Sequence, residues 1–325
     1  STQPVMWLGG ALVLAALACS DPAPYGAPRG APYTAEEVTV TTEAGLVLAG
    51  TLTVPARSTS GAPAVVLITG SGPQDRDEYM PHVGEYRPFR QIADTLGRAG
   101  IAVLRLDDRG VGGSDPGPPG ATSADLAEDI RAAVSYLRGH PKIDPAGVGL
   151  IGHSEGGVIG PMVAAEDSLL AALVLMAAPA YTLERVGQTG IEATIAKTST
   201  LSASEAGEMR RRAAMSAEQR VREDPWYRAA YSYDPLPMIR RVMAPVLLLH
   251  GGVDTQITPE QSDTLAFALR VAGNQDVTVV RIENVNHLFL DDSDGRAFRY
   301  NRLPSHAVRT DVLAALVDWL TVRLN

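Results

Sequence analysis

Cysteine is nearly absent from this 325-residue sequence, which contains one cysteine and six histidines. A single cysteine cannot form an intramolecular disulfide, and it rules out a metal site built on several thiolates. The histidines are scattered and lack the close pairing that is typical of zinc ligands. We therefore expect no metal and no other cofactor.

Basic residues are in the minority, because 28 Lys and Arg stand against 37 Asp and Glu and leave a formal charge of −9. Such a chain has no positive field that would attract a phosphate backbone, so we expect no nucleic-acid partner. With 45% apolar residues, the chain is still able to bury a large core, as one α/β domain or as one domain with an insert.

A long hydrophobic run is also missing, since a membrane-spanning helix needs about 20 apolar residues. The apolar run at residues 5–18 is shorter and ends in small residues, which is typical of an export signal. We interpret residues 1–19 as a signal peptide and the Pro- and Gly-rich residues 20–33 as a tether. This interpretation predicts an exported protein that is periplasmic or extracellular.

Cys19 ends this run in the sequence Ala16-Leu17-Ala18-Cys19, which is similar to the lipobox of bacterial lipoproteins. A lipobox favours Leu three residues before the cysteine and a small residue two before it, and here Ala16 and Leu17 occur in the reverse order. Two interpretations stay open. Either a lipidated Cys19 tethers the protein to a membrane, or ordinary signal cleavage removes Cys19.

The pattern of the following segments predicts an α/β fold with a mostly parallel central sheet flanked by helices. Residues 36–54 alternate around a turn at Glu43-Ala44-Gly45, which indicates an antiparallel hairpin at the sheet edge. Later runs are continuously apolar, as in parallel strands buried on both faces, and they cover residues 64–68, 101–106, 148–151, 173–176, 246–249 and 277–282. Helices are expected at residues 90–98, 125–137 and 307–320, and after Thr258, where Pro259 and Gln261 suggest a capping box.

Residues 181–241 interrupt this alternation, because they contain no strand-like run and are rich in Arg, Glu, Ala and Met at helical spacing. We interpret them as a helical cap inserted into a core of residues 34–180 and 242–325. Ligands of open α/β sheets bind beyond the carboxyl ends of the strands, where an insert at this position would lie. The insert is therefore a candidate lid, and the alternative is a solvated helical decoration without substrate contact.

Gly152-His153-Ser154-Glu155-Gly156 is the most informative motif in the sequence. It follows a predicted buried strand and precedes a helix start rich in small residues, which is the context that a G-x-S-x-G nucleophile turn requires. The flanking glycines are needed because side chains there would collide with neighbouring backbone. Ser154 is therefore the predicted nucleophile.

A serine hydroxyl needs a histidine that takes its proton and a carboxylate that orients the histidine. In folds with this motif the acid and then the histidine follow the serine, on loops after later strands. Asp254 and His287 occupy such positions. His306 is the rival base and Asp291 and Asp292 are rival acids, but His306 falls at the start of the last helix and the two aspartates fit a solvated loop.

The tetrahedral intermediate of such chemistry also needs backbone N–H donors for its oxyanion. The N–H of Glu155, directly after the nucleophile, is the first predicted donor. The second lies in the small-residue turn Thr69-Gly70-Ser71-Gly72-Pro73, where we favour the Ser71 N–H and keep Gly72 as the alternative.

Several other polar and aromatic residues fall near these motifs. His153 and His250 adjoin motif glycines and are interpreted as structural. Internal ion pairs that hold loops are favoured over substrate contacts for a set of charged residues, namely Asp75, Arg76, Asp77, Asp108 and Arg109. The insert aromatics Trp226, Tyr227, Tyr231 and Tyr233 fit an acyl pocket and packing of the cap on the core equally well.

Three segments together resemble bacterial α/β-hydrolase esterases with a GHSEGG nucleophile segment: residues 152–157, the turn at 108–114 and residues 70–77. The resemblance extends from about residue 36 to the C-terminus. It implies the α/β-hydrolase fold, a helical cap before the acid loop and carboxylesterase activity on short acyl chains. Thr69 departs from the pattern, since many members have His at that position.

The sequence as a whole predicts a serine carboxylesterase that hydrolyses short- to medium-chain carboxylic esters through an acyl-enzyme on Ser154. The expected partner is a small-molecule ester. A peptidase, thioesterase or lactonase would use the same triad, so these activities stay open as alternatives. A binding protein that keeps the fold without turnover is the remaining hypothesis.

Overall fold

The computed structural model describes residues 25–56 and 61–324. The predicted signal peptide and Cys19 lie outside these residues, so the export and lipidation predictions stay predictions. Among the described helices, none has both the length and the apolar character needed to cross a bilayer.

Eight strands form one sheet in the order β1-β2-β4-β3-β5-β6-β7-β8. Their bounds are β1 (Tyr33–Thr41), β2 (Val47–Pro55), β3 (Ala62–Ile68), β4 (Ala102–Leu106), β5 (Ile143–His153), β6 (Ala172–Met176), β7 (Val246–Gly251) and β8 (Val277–Ile282). Strand β2 is antiparallel to both β1 and β4, and the pairs from β4 to β8 are parallel. The predicted α/β class, the edge hairpin and the six later strands are confirmed.

Helices cover both faces of the sheet, as the continuously apolar strands require. Helices α1 (Pro88–Arg98) and α9 (Thr310–Leu324) contribute to one buried core cluster, while α2 (Ser123–Gly139), α3 (Gly156–Ala164) and α8 (Glu260–Val271) contribute to the other. Residues 183–239 form α4 (Leu183–Ala196), α5 (Ala203–Glu223), α6 (Pro225–Ser232) and α7 (Leu236–Ile239), between β6 and β7.

The starts of α8 and α9 differ from the prediction, and at each start a polar group makes a tertiary contact. Helix α8 begins at Glu260, and the Gln261 side-chain oxygen accepts the Ala180 N–H at 3.0 Å. The predicted capping box is therefore wrong at Gln261. Helix α9 begins three residues later than predicted, after Val308, whose N–H donates to Gln91 Oε1 at 2.9 Å.

A buried ion pair joins the chain after β3 to the end of β4. Arg76 Nε and Nη2 donate to the two oxygens of Asp107 at 3.0 and 2.7 Å, and the two side chains are 4% and 1% exposed. Arg76 Nη1 also donates to Thr51 Oγ1 at 2.8 Å and to Glu37 Oε2 at 2.6 Å. The bidentate contact with Asp107 fixes the loop after β3 to the end of β4, and the Nη1 contacts hold the same loop against the edge hairpin.

The contribution of this ion pair can be measured with Arg76→Met, which leaves the buried Asp107 carboxylate without its cation. We expect the free energy of unfolding in urea to fall by about 3–5 kcal/mol. The matched control is Arg98→Met, since Arg98 pairs with Asp94 at 2.9 Å on the surface. The control should lower stability far less, because water screens an exposed ion pair; equal losses for both variants would contradict the assigned role.

Candidate active site

Ser154 lies on the tight turn between β5 and α3. Its φ is +52°, in the left-handed region that non-glycine residues rarely adopt. The Ser154 N–H donates to the Met176 carbonyl at 2.9 Å, which ties the turn to the end of the neighbouring strand β6. Strain of about 1–3 kcal/mol at such a residue persists only where the surrounding structure enforces it.

The glycines of the motif are needed because three backbones meet at this turn. A Cβ on Gly152 would lie 2.1 Å from the Gly156 carbonyl oxygen, and a Cβ on Gly156 would lie 2.3 Å from the Ile68 carbonyl oxygen. Real Cβ atoms do not approach backbone this closely. The turn therefore depends on the absence of side chains at both positions.

His287 and Asp254 complete a chain of hydrogen bonds that starts at Ser154. His287 Nε2 lies 3.1 Å from Ser154 Oγ, and His287 Nδ1 lies 2.8 Å from Asp254 Oδ2. The Asp254 carboxylate accepts the Nδ1 proton, so the lone pair of Nε2 faces the serine hydroxyl. The structure thus brings together the three predicted catalytic side chains from the ends of β5, β7 and β8.

Asp254 is 3% exposed and is held as a carboxylate by several donors. Burial alone would raise the pKa of Asp254, but its contacts with His287 and His250 outweigh burial and place that pKa well below the usual range. The other oxygen accepts the N–H groups of Gln256 and Ile257 at 2.8 and 3.1 Å. His287, the predicted base, is therefore oriented by the Asp254 carboxylate.

The two predicted oxyanion donors flank Ser154. Ser71 and Glu155 line one cavity together with Ser154, and the backbone N–H of neither residue has an acceptor within the described part of the chain. The turn that carries Ser71 packs closely on the nucleophile, since a Cβ on Gly70 would lie 3.5 Å from Ser154 Cβ. Free N–H groups beside a nucleophile are the arrangement that an oxyanion requires.

Asp108 anchors both ends of the turn at residues 69–73. Its carboxyl accepts the Thr69 hydroxyl at 2.9 Å and the Gln74 N–H at 2.9 Å. Burial raises the pKa of Asp108 to about 7. Thr69, where the sequence departs from the family pattern, thus supplies a hydroxyl donor that ties this turn to the end of β4.

A mostly apolar cavity of about 170 Å³ opens beside Ser154. Core and insert both contribute to its wall, with Val158 and Met162 from α3 and Leu183, Val186, Trp226 and Tyr233 from the insert. Of the four aromatics singled out in the sequence, Trp226 and Tyr233 line the cavity, and Tyr227 and Tyr231 contact each other at a ring distance of 5.9 Å.

Glu155 joins the insert to the core at this cavity. Its Oε1 accepts the Trp226 indole N–H at 2.6 Å and the Ser123 hydroxyl at 2.6 Å. One residue therefore presents a backbone N–H next to the nucleophile and, through its side chain, holds helix α6 against helix α2.

The rival residues have other partners. His306 Nε2 bonds to the Tyr300 carbonyl at 3.0 Å, and Asp291 pairs with Arg309 at 3.3 Å on the surface. Asp292 is 5% exposed, so the solvated loop expected there is wrong for this residue. Its carboxylate is buried because it accepts the Gly295 N–H and the Asn286 side-chain amide, which shape the loop after β8.

His250 and four of the five charged loop residues have the predicted structural contacts, whereas Asp108 forms no ion pair among the described residues and accepts hydrogen bonds from Thr69 and Gln74 instead. His250 bonds to the Ile257 carbonyl at 2.8 Å and to Ser262 Oγ at 2.7 Å. Internal ion pairs hold most of the charged loop residues, in the pairs Arg76–Asp107, Asp77–Arg105, Asp75–Arg87 and Arg109–Asp129.

Sequence reasoning missed Glu78, which is 1% exposed beside the nucleophile turn. Glu78 Oε1 lies 2.8 Å from His153 Nδ1 and accepts the Gly70 N–H at 2.8 Å. The only available signal was its place at the end of Asp75-Arg76-Asp77-Glu78 after a glycine-rich turn, and such a charge cluster is also typical of an exposed loop.

Comparison with known proteins agrees with this geometry. The model of the alpha/beta hydrolase family matches residues 65–299, which is most of the chain. The protein therefore belongs to the α/β hydrolase family.

Individual relatives extend the comparison. The chain is 29% identical to esterase EstD of Thermotoga maritima over 287 residues, which make up 84% of this chain and 65% of EstD. A solved esterase of Pyrococcus furiosus superposes with a TM-score of 0.61 at 17% identity, covering 92% of this chain and 94% of that one. A puromycin-hydrolyzing peptidase of Mycobacterium tuberculosis gives a TM-score of 0.62 at 18% identity, over 92% of this chain and 40% of the peptidase. The two structural similarities concern the fold alone.

The close approach at the nucleophile turn generates a prediction for Gly156→Ala. A Cβ 2.3 Å from the Ile68 carbonyl oxygen must displace the turn, and we expect labelling of Ser154 by a fluorophosphonate probe to slow at least about 100-fold. The control is Gly187→Ala in α4, where a Cβ would meet nothing within 4 Å. The control should label at the wild-type rate and gain up to about 1 kcal/mol of stability, and wild-type labelling of Gly156→Ala would contradict the packing argument.

Proposed function

We propose that the protein is a serine carboxylesterase that hydrolyses short- to medium-chain carboxylic esters through an acyl-enzyme. The observation that carries the proposal is the hydrogen-bonded chain Ser154–His287–Asp254 at the mouth of an apolar cavity. The similarity to esterase EstD supports ester hydrolysis as the activity, although the chain spans only 65% of that relative.

In the proposed first half-reaction, Ser154 Oγ attacks the ester carbonyl carbon while its proton passes to His287 Nε2. The carbonyl oxygen becomes an oxyanion that accepts the N–H groups of Glu155 and Ser71. As the intermediate collapses, the bond to the leaving alkoxide breaks and His287 returns the proton to it. Asp254 stabilises the imidazolium that exists between these two transfers.

In the second half-reaction, His287 removes a proton from a water molecule that attacks the acyl carbonyl. The same two N–H groups hold the second oxyanion, and the proton then returns to Ser154 Oγ as the carboxylic acid leaves. All proton transfers are thus carried out by one imidazole.

The size of the cavity indicates the length of the acyl group. A dry cavity of about 150 Å³ accommodates one benzene molecule. A cavity of about 170 Å³ therefore has room for an acyl chain of about four to six carbons. Its apolar wall favours alkyl groups over charged ones.

The proposal is tested by hydrolysis of p-nitrophenyl acetate, butyrate, octanoate and palmitate. We expect the highest kcat/KM for butyrate and a steep decrease at octanoate and palmitate, because longer chains exceed the cavity. Ser154→Ala should abolish turnover of every ester while it keeps the wild-type circular dichroism spectrum. Turnover that survives in Ser154→Ala would disprove Ser154 as the nucleophile. Hydrolysis of thioesters, lactones or peptide amides, without hydrolysis of esters, would contradict the proposed substrate class.

Chain-length selection can be tested separately with Met162→Ala, which enlarges the cavity from α3. We expect the ratio of kcat/KM for octanoate to that for butyrate to rise by about tenfold, with a loss of stability of about 2–5 kcal/mol. Met215→Ala is the matched control, because Met215 is 69% exposed on α5. An unchanged ratio in Met162→Ala would show that acyl groups bind elsewhere.

A further inference from the structure

Glu78 and His153 form a buried polar pair behind the nucleophile turn. Glu78 is 1% exposed and His153 is 5% exposed, and neither side chain lines the cavity beside Ser154. His153 directly precedes Ser154, and its ring centroid lies 5.1 Å from that of His287. The pair is therefore next to the reacting groups without facing the substrate.

Three loops meet at this pair. Glu78 Oε1 accepts the N–H of Gly70, which adjoins the proposed oxyanion donor Ser71, at 2.8 Å. The same oxygen lies 2.8 Å from His153 Nδ1. His153 Nε2 lies 3.1 Å from the backbone carbonyl oxygen of His287. One carboxylate and one imidazole thus connect the oxyanion turn, the nucleophile turn and the loop of the base.

The acceptors around His153 determine how many protons this network holds. A carbonyl oxygen only accepts, so Nε2 must donate to His287. When Glu78 is a carboxylate, Oε1 accepts the Gly70 N–H and has no proton to offer Nδ1, so Nδ1 donates as well. The full set of hydrogen bonds therefore forms with a doubly protonated His153 and an ionised Glu78.

Glu78 is not optimised for stability. Its φ is +54°, in the left-handed region, and its second carboxylate oxygen is buried without a hydrogen-bond partner in the described part of the chain. Either feature destabilises the folded state. Departures from local preference of this kind concentrate at functional sites.

We propose that Glu78 is a positioning residue which, with a doubly protonated His153, fixes the oxyanion turn, Ser154 and His287 relative to one another. The pair transfers no proton to the substrate. It sets the distances on which attack and oxyanion binding depend, and this role rests on the proposed hydrolase chemistry.

The pH dependence of the pair distinguishes this role from a purely structural one, because structural packing alone would not depend on the protonation of His153. Burial lowers the pKa of His153, but the Glu78 carboxylate outweighs burial, so the pKa lies above its ordinary value of 6.5. The network is complete below that pKa and loses its proton as the pH rises through it. The other ionisable groups that bear on the pair are His287 and Asp254 on the base side, and Asp108 and Tyr86 on the Glu78 side.

The decisive variant is Glu78→Gln. The neutral amide oxygen can accept from Gly70 and from a protonated Nδ1, but it no longer supplies the charge that stabilises the imidazolium. We expect the alkaline limb of the kcat profile to move to lower pH by about 1–3 units. Glu78→Ala, which removes the shared acceptor as well as the charge, should lower kcat about 100-fold even on the acid side of that limb, with KM within about threefold. An alkaline limb that stays in place in Glu78→Gln would overturn the proposal even if Glu78→Ala does not fold.

Asp108 is a second group that affects the pH profile, since burial raises its pKa to about 7. The pH profile of kcat is therefore also measured with Asp108→Asn introduced into the wild type and into Glu78→Gln. The shift caused by Glu78→Gln should persist there, and its disappearance would assign the limb to Asp108 instead.

A measurement independent of activity separates this proposal from the proposed function. Long-range ¹H–¹⁵N NMR of histidine-labelled protein, with His153→Gln for assignment, reports the protonation of both ring nitrogens. We expect both to carry protons in the wild type at neutral pH, and one proton to be lost in Glu78→Gln. A neutral His153 in the wild type would overturn the proposal. If both ring nitrogens carry protons in a protein that hydrolyses no ester, only the proposed substrate class is contradicted.

Discussion

The structure depends on one close approach of backbones, where the first turn of α3 crosses the carboxyl end of β3. Gly156 lies so near the Ile68 carbonyl that no side chain fits between them. This contact forces the chain to leave β5 abruptly, and Ser154 takes up the strained φ of +52° at the point of reversal. Ser154 and Glu155 both line the cavity at this turn, and the Glu155 N–H has no acceptor in the described part of the chain.

Around this turn, buried charge fixes loops that have little regular structure of their own. Arg76 and Asp107 hold the chain after β3, Asp108 holds the ends of its glycine-rich turn, and Asp254 orients the base. A buried charge that lost its partner would destabilise the fold strongly. Each loop therefore has one favourable arrangement, and the reacting atoms keep their geometry before a substrate arrives.

The helical insert and the core share one cavity rather than two separate surfaces. Glu155 is the residue at which they meet, because its backbone follows the nucleophile and its carboxylate holds Trp226. In the proposed mechanism, oxyanion binding and acyl selection are thus coupled through a single position. A change in how the insert packs on the core would therefore shift the Glu155 N–H at the proposed oxyanion site.

Much of this arrangement could be predicted from the sequence. The strands are continuously apolar because both faces are covered, and the spacing of Ser154, Asp254 and His287 after strand ends follows from a parallel sheet whose carboxyl ends share an edge. The capping box at Gln261 could not be judged in this way. Its side chain satisfies the Ala180 N–H, a group 81 positions away along the chain.

The sequence by itself therefore determined the mostly parallel sheet and the order along the chain in which Ser154, Asp254 and His287 follow strand ends. Each of these follows from local pattern and chain order. Tertiary structure alone decided which buried polar groups pair. Glu78 and His153 are 75 positions apart, and His153 and His287 are 134 apart. A short run of charged residues has the same sequence pattern whether it is exposed to solvent or buried. Only the packing of three strand-end loops against one another buries Glu78 and brings it into contact with His153.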